Sequence, residues 1–169
     1  MESQPQFLTG QAALITGGGG GIGRAIAQAL AGAGADITIV DNIPERCTEA
    51  AARIEAMGRR ALGLTVDASD SAALAQAVAQ AGDRFGRLDI LVNNAGGVSP
   101  RPFADQSAGS WRRHIDLNLV SMLAATSAAI PLIRASGIGG SIINVSSIEA
   151  SRAAPMYAVY AACKAGMNN

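Results

Sequence analysis

The sequence predicts one α/β domain, a doubly wound parallel sheet with helices on both faces. Short apolar runs alternate with longer stretches of helical period, which is the pattern of successive βα units. A glycine cluster separates the first apolar run from the first helical stretch. The chain has 169 residues, 49% hydrophobic and 15% charged, enough for one real core and far from a disordered composition.

The expected strands are residues 12–15, 36–40, 61–66, 90–92 and 141–145. In the first helical stretch Ile22, Ala25, Ile26, Ala29 and Leu30 follow the i, i+3, i+4, i+7, i+8 spacing of one buried face. Cys47, Ala50, Ile54 and Met57 form a second stripe, and Leu74, Val78, Ala81 and Phe85 a third. A fourth, longer helix carries Ile115, Leu119 and Met122 and runs towards Pro131, and a fifth begins near Tyr157. Helices between successive strands require right-handed crossovers and a parallel sheet covered on both faces. The expected strand order is 3-2-1-4-5, with the fifth strand at an open edge. A complete domain of this kind is expected to continue past Asn169.

Composition excludes several classes of function. Thirteen Lys and Arg balance thirteen Asp and Glu, so neither nucleic acid nor an anionic membrane is an expected partner. Cys47 and Cys163 are too few for a disulfide framework, and no cluster of His and Cys offers metal ligands. Residues 1–5 lack the basic start and apolar run of a secretory leader, and no stretch nears ~18 uninterrupted apolar residues. A soluble, cytoplasmic protein is expected.

Thr16-Gly17-Gly18-Gly19-Gly20-Gly21-Ile22-Gly23 lies where the first strand turns into the first helix. Glycine there lets the backbone approach a pyrophosphate, and the helix N-terminus offers free N–H groups and a positive dipole end. Two registers fit: Gly18, Gly20 and Gly23 as G-x-G-x-x-G, or Thr16, Gly17, Gly21 and Gly23 as T-G-x-x-x-G-x-G. Asp41 ends the second strand, eighteen residues past Gly23, where an acid accepts hydrogen bonds from the adenosine ribose. Its charge repels a 2′-phosphate, and no Arg or Lys lies within the glycine loop to offset it. NAD is therefore favoured over NADP. The competing role for Asp41 is a turn former or helix cap.

Tyr160 and Lys164 are four residues apart and share one helix face. A free tyrosine, with a pKa of about 10, is a poor base at neutral pH; a lysine ammonium one turn away favours the phenolate. With this pair the chain resembles the short-chain dehydrogenase/reductase family, from about Leu8 to Asn169. The residues that carry the resemblance are Thr16-Gly17-x-x-x-Gly21-Ile22-Gly23, Asp67, Asn93-Asn94-Ala95-Gly96, Asn118, Ser147 and Tyr160-x-x-x-Lys164.

The resemblance implies a Rossmann-like fold and hydride transfer between NAD and a small-molecule alcohol or ketone. It makes Tyr160 the proton-transfer group and Ser147, thirteen residues earlier, the partner of the substrate oxygen. Family spacing selects Ser147 over Ser146, and Tyr157 has Ala161 where Tyr160 has its lysine. Lys164 also binds the nicotinamide ribose, and Asn118 helps to hold a relay water. The implied cofactor contacts are Thr16, Gly17, Gly21, Ile22, Gly23, Asp41, Asp67, Asn94, Ala95, Gly96, Tyr160 and Lys164, with Asp67 at the adenine amino group. Relatives commonly pair through the fourth and fifth helices, so a dimer or tetramer is expected. Glu149-Ala150 departs from the family, where many relatives carry a glycine. The alternative functions are a nucleotide-binding fragment and a structural subunit of a homo-oligomer, both without turnover. His114 is expected on a solvated face, and Trp111 as an anchor at a helix start.

Overall fold

The computed structural model describes residues 6–169, so the expectation for residues 1–5 lies outside the described residues. The strands are β1 (Ala12–Thr16), β2 (Asp36–Asp41), β3 (Ala61–Thr65), β4 (Ile90–Asn93) and β5 (Ser141–Asn144). The helices are α1 (Gly21–Gly32), α2 (Pro44–Ala56), α3 (Ser71–Phe85), α4 (Ala108–Ile115), α5 (Ser121–Ala135) and α6 (Ala158–Asn168). The sheet is parallel throughout, with the order β3-β2-β1-β4-β5 that the sequence predicts.

Every residue of β1, β2 and β4 is buried, as strands covered on both faces require. Alternation then sends neighbouring side chains into opposite layers. Ala13, Ile15, Ile37 and Ile39 pack with Ala27, Ala31, Ala50 and Ile54 from α1 and α2. Leu14, Val40 and Leu91 pack on the other side with Leu74, Val78, Ala125 and Ala129 from α3 and α5. Local chemistry sets the helix ends. Asp70 caps α3 by accepting from the Ala72 and Ala73 N–H groups, and Gly86 ends it at φ 75°. Pro44 occupies the first turn of α2, where its missing N–H costs nothing.

Four expectations need correction. The strands end a residue away from their predicted limits, as strand termini commonly do. The buried face of α1 is Gly23, Ala27 and Ala31, one step from the expected stripe, and Ile22 is 66% exposed. Small residues let α1 lie close to the sheet, and this outweighs burial of the larger ones. Met57 follows α2 and is exposed rather than part of its stripe. Finally, the fourth helix is two helices joined by a π-helical turn, Asp116–Val120, and it passes through Pro131 to Ala135. Pro131 faces solvent, so the helix loses one backbone hydrogen bond while Ala125 and Ala129 stay packed.

The run Ala108–Ala135 is long and apolar enough to cross a membrane by length and composition alone. Its inner residues Met122, Ala125 and Ala129 are buried against the domain. β5 forms one edge of the sheet, and all four of its residues are exposed.

Candidate active site

A cleft of about 580 Å³ opens at the carboxyl ends of the strands, over the point where β1 is flanked by β2 and β4. This is where the strand order reverses and where open α/β sheets take their ligands. Gly17, Gly21, Ile22, Asp41, Asp67, Asn94, Ala95, Gly96, Tyr160 and Lys164 line it. Ten of the implied cofactor residues therefore share one wall system. Thr16 and Gly23 lie behind it.

Their positions follow from the loop geometry. Gly17 and Gly21 have φ of 62° and 48°, in the left-handed region that favours glycine. A Cβ at Gly17 would meet Asn94 Nδ2 at 3.0 Å, and one at Gly23 would strike the Gly17 carbonyl. Of the two glycine registers, the one running Thr16, Gly17, Gly21, Gly23 meets these demands. Thr16 is buried, and its Oγ1 accepts from the Asn94 and Ala95 N–H groups, both at 3.0 Å. Asn94 Nδ2 donates back to the Thr16 and Gly17 carbonyls at 3.0 and 3.1 Å. The segment after β4 is thus stitched to the glycine loop. Asn93, directly before it, donates from Nδ2 to Asn144 Oδ1 on β5 at 2.8 Å and to Thr126 Oγ1 on α5 at 3.1 Å.

Asp41 is buried at the end of β2. Its Oδ2 accepts from the Gly19 N–H at 3.1 Å and its Oδ1 from the Ile43 N–H at 3.2 Å. Asp67 is exposed and forms a turn by accepting from both the N–H and the Oγ of Ser69. Asp67 thus lines the cleft while it forms this turn.

The other end of the cleft holds Lys164, 3% exposed, whose Nζ donates to the Val145 carbonyl at 2.7 Å. Burial pushes its ammonium below the usual lysine range, although the neighbouring Cys163 opposes this. Lys164 Nζ stands 5.9 Å from the centre of the Tyr160 ring. Ser146 lines the cleft, and its Oγ donates to the Lys164 carbonyl at 3.3 Å. Ser147 stands off the wall: its Oγ accepts from the Glu149 N–H at 3.2 Å and caps the short turn Ile148–Ala150. Glu149 itself pairs with Arg152 at 2.6 Å.

Asn118 is fully buried in the π-helical turn and does not line the cleft. Its Oδ1 accepts from the Gly97 N–H, and its Nδ2 donates to the Gly97 and His114 carbonyls, all at 2.9 Å. A Cβ at Gly96 would meet Asn118 Oδ1 at 2.9 Å and Lys164 Nζ at 3.5 Å, so these two side chains converge behind Gly96. His114 is only half-exposed, which corrects the solvated-face expectation. Its Nδ1 donates to the Ser110 carbonyl at 2.9 Å and its Nε2 accepts from the Ser99 N–H at 3.4 Å, tying down the same loop. Trp111 stacks on Phe103 with ring centres 5.5 Å apart.

Sequence reasoning missed Arg46. It looked for basic residues only inside the glycine loop, whereas the first turn of α2 carries Arg46 to the cleft beside Asp41.

The cleft fits a nicotinamide dinucleotide: a cradle of glycines for the pyrophosphate, an acid at the β2 end and a lysine at the β5 end. Comparison with known proteins agrees. The family model described as short chain dehydrogenase matches residues 11–169. An uncharacterized oxidoreductase of Mycobacterium tuberculosis (strain CDC 1551 / Oshkosh) is 39% identical over 160 residues, covering 95% of this chain and 61% of the relative. Carveol dehydrogenase from Mycobacterium avium, solved in complex with NAD, superposes with a TM-score of 0.90 at 34% identity over 95% of this chain and 62% of that one. A short chain dehydrogenase from Burkholderia cenocepacia J2315, in complex with NADP, gives 0.90 at 38% identity over 95% and 65%. The chain thus spans less than two thirds of these relatives' length. On the family match and these identities, the chain belongs to the short-chain dehydrogenase family.

Proposed function

We propose that the protein is a nicotinamide-dependent oxidoreductase that interconverts a small-molecule secondary alcohol and its ketone in the cytoplasm. The observation that carries this reading is the presence of Tyr160 and Lys164 in the same cleft as the glycine loop. The dinucleotide, when bound, supplies the hydride acceptor or donor; the remaining tasks belong to the chain. Gly17 and Gly21 admit the pyrophosphate, and Asp41 accepts from the ribose hydroxyls, which favours NAD. Lys164, held by the Val145 carbonyl, supports the nicotinamide ribose and biases Tyr160 towards the phenolate. Tyr160 then takes the proton from the alcohol oxygen, or returns it to the ketone.

Ser147 holds the substrate oxygen, which requires its Oγ to rotate away from the Glu149 N–H. Asn118 fixes the Gly97 segment and, through the Gly97 carbonyl, the place where a relay water is held. The domain spans residues 1–169 of a dehydrogenase, and its copies pair as a dimer or tetramer through α5, where Leu123 is 55% exposed, and α6.

The test is Tyr160→Phe, which keeps the ring and deletes the proton-transfer oxygen. Alcohol-dependent reduction of NAD should fall by about 10²–10⁴-fold with NAD affinity, titrated by calorimetry, unchanged. Near-normal turnover would remove Tyr160 from the mechanism. If the unsubstituted chain binds NAD but turns over no alcohol across pH, the second reading holds, a nucleotide-binding module without catalysis.

A further inference from the structure

We infer that the substrate carries a carboxylate, received by Arg113 in a recess beside the cleft, so that the chain acts on oxo acids and their hydroxy acids rather than on neutral ketones and alcohols. The inference deepens the oxidoreductase reading given above and rests on it.

The recess has a volume of about 360 Å³ and is lined by Gly97, Val98, Ser99, Arg113, His114 and Leu117. Gly97, Val98 and Leu117 also line the cleft, so the two spaces share a wall. The recess adjoins the lysine end. Gly97 follows Gly96, where a Cβ would meet Lys164 Nζ at 3.5 Å. On α6 Cys163, the residue before Lys164, donates from Sγ to the His114 carbonyl at 3.8 Å. Asp41 and Asp67 line the cleft but not the recess.

The chain itself ties these walls down. Asn118 holds both the N–H and the carbonyl of Gly97. The His114 ring is engaged at both nitrogens, by the Ser110 carbonyl and the Ser99 N–H, so it has no donor left for a ligand. One charge remains. Arg113 is exposed, and among the described residues it forms no ion pair, whereas Arg59, Arg60, Arg87 and Arg152 each hold a carboxylate. Gly109, one helical turn earlier, leaves that flank of α4 open: a Cβ there would stand 3.8 Å from Arg113 Nη1. No Asp or Glu lines the recess, while the cleft sets Asp41 and Asp67 against Arg46 and Lys164.

The ligand chemistry follows from that imbalance. A guanidinium with no acid beside it attracts an anion, and its planar fork matches a carboxylate with two parallel hydrogen bonds. A neutral amide or carbonyl offers no charge to the same fork. Val98 and Leu117 give apolar surface to the carbons between the carboxylate and the reacting centre. With the carboxylate in the recess, the shared wall leads the rest of the molecule into the cleft that holds Tyr160. Arg113 touches a remote group and no reacting atom, so its effect belongs to KM rather than kcat.

The test uses three pairs of ketones: 4-oxopentanoate, 5-oxohexanoate and 4-acetylbenzoate, each against its primary amide. Binding to the chain with NAD, which cannot reduce them, is read by calorimetry, and turnover by the loss of NADH absorbance. At least one acid should bind about 10-fold or more tightly than its amide, and high salt should narrow the gap. Arg113→Gln should weaken that acid by about 10–100-fold, in KM rather than kcat, and its amide by under ~3-fold. Arg113→Lys should recover part of the loss. Because Arg113 is exposed, Arg113→Gln should bind NAD as before and unfold at an unchanged temperature. Arg112→Gln removes an equally exposed charge of the same helix from outside the recess and should leave the acids unaffected. Amides that bind as well as acids would overturn the proposal, as would an acid preference that is indifferent to Arg113 or falls equally in Arg112→Gln. A chain that binds NAD but none of the acids would overturn it too. If NAD itself does not bind, the oxidoreductase reading fails and the proposal falls with it. Ketone reduction without preference for the acids removes this proposal alone.

Discussion

Asn118 engages both ends of its amide on the segment after β4, and no solvent reaches it. Replacing it by alanine takes away the partner of both the Gly97 N–H and the Gly97 carbonyl. At about 1–3 kcal/mol for a buried unsatisfied group, with partial relaxation, Asn118→Ala should lower unfolding free energy by about 2–4 kcal/mol in urea titration. Lys164 has the opposite balance. Burial depresses its pKa, so between that lowered value and the usual 10.5 the unfolded chain holds the proton that the native chain lacks, and stability rises with pH. At neutral pH the buried charge is a cost that the Val145 carbonyl offsets in part, and Lys164→Met should harm cofactor binding far more than it changes stability. Residues of this kind were partly legible. Tyr160, Lys164, Asp41 and the glycines stand at spacings that chemistry demands, so the chain order shows them. Arg46 and His114 act through contacts that no local spacing announces.

Asp89 directly precedes β4 and ties three strands together. Its Oδ2 accepts from the Ala12 N–H on β1 at 2.8 Å, and its carbonyl accepts from the Ser141 N–H on β5 at 2.9 Å. Arg87 grips the carboxylate with two hydrogen bonds of 2.7 Å. Burial opposes ionisation of Asp89, but Arg87 and the Ala12 N–H outweigh it and hold the carboxyl below its usual 3.8. At Asp36 burial is likewise outweighed, there by Arg60 and Arg59. Both carboxyls are lowered, so their contribution is complete above the unfolded value and is lost as pH falls through the lowered ones. Arg87→Met should move the acid-unfolding midpoint, followed by circular dichroism, to higher pH. It should also cost about 2–4 kcal/mol at neutral pH, below the range for a fully buried pair because Arg87 is partly solvated. At this scale the strands were legible because chains buried on both faces read as apolar runs. The phase of α1 was not: in a stretch rich in alanine and glycine, hydrophobicity barely separates one face from the next, and close approach decides.

Across the whole molecule, burial is complete from the middle of the sheet through β4 and drops abruptly at β5. β1 has a neighbour on each side and no exposed residue; β5 has one neighbour and no buried residue. Native-state hydrogen exchange should therefore be slowest in β1 and fastest in β5, the amides of β5 exchanging through local opening rather than global unfolding. Protection of β5 equal to that of β1 would show that its free side is covered in solution. Exposed Ile142 and Ile143 on that edge also present a pairing surface. Ile143→Lys should reduce light scattering of concentrated protein with little change in unfolding temperature. The strand order itself was legible, since helical crossovers and the glycine turn leave few ways to wind the sheet. The cleft's exact lining was not, because it joins residues from Gly17 to Lys164 that only the completed sheet brings together.

The π-helical turn at Asp116–Val120 amounts to one residue inserted into an otherwise regular rod. Each residue advances an α-helix by about 100°, so everything after the turn is rotated by that much relative to α4. Met122, Ala125 and Ala129 meet the domain only because of this offset. Removing a single residue from the turn would restore a smooth helix and its full ladder, yet carry that apolar face away from α3. The reading frame of helix faces is therefore held by the length of this turn, and variation in chain length should be tolerated in the loops on either side but not here.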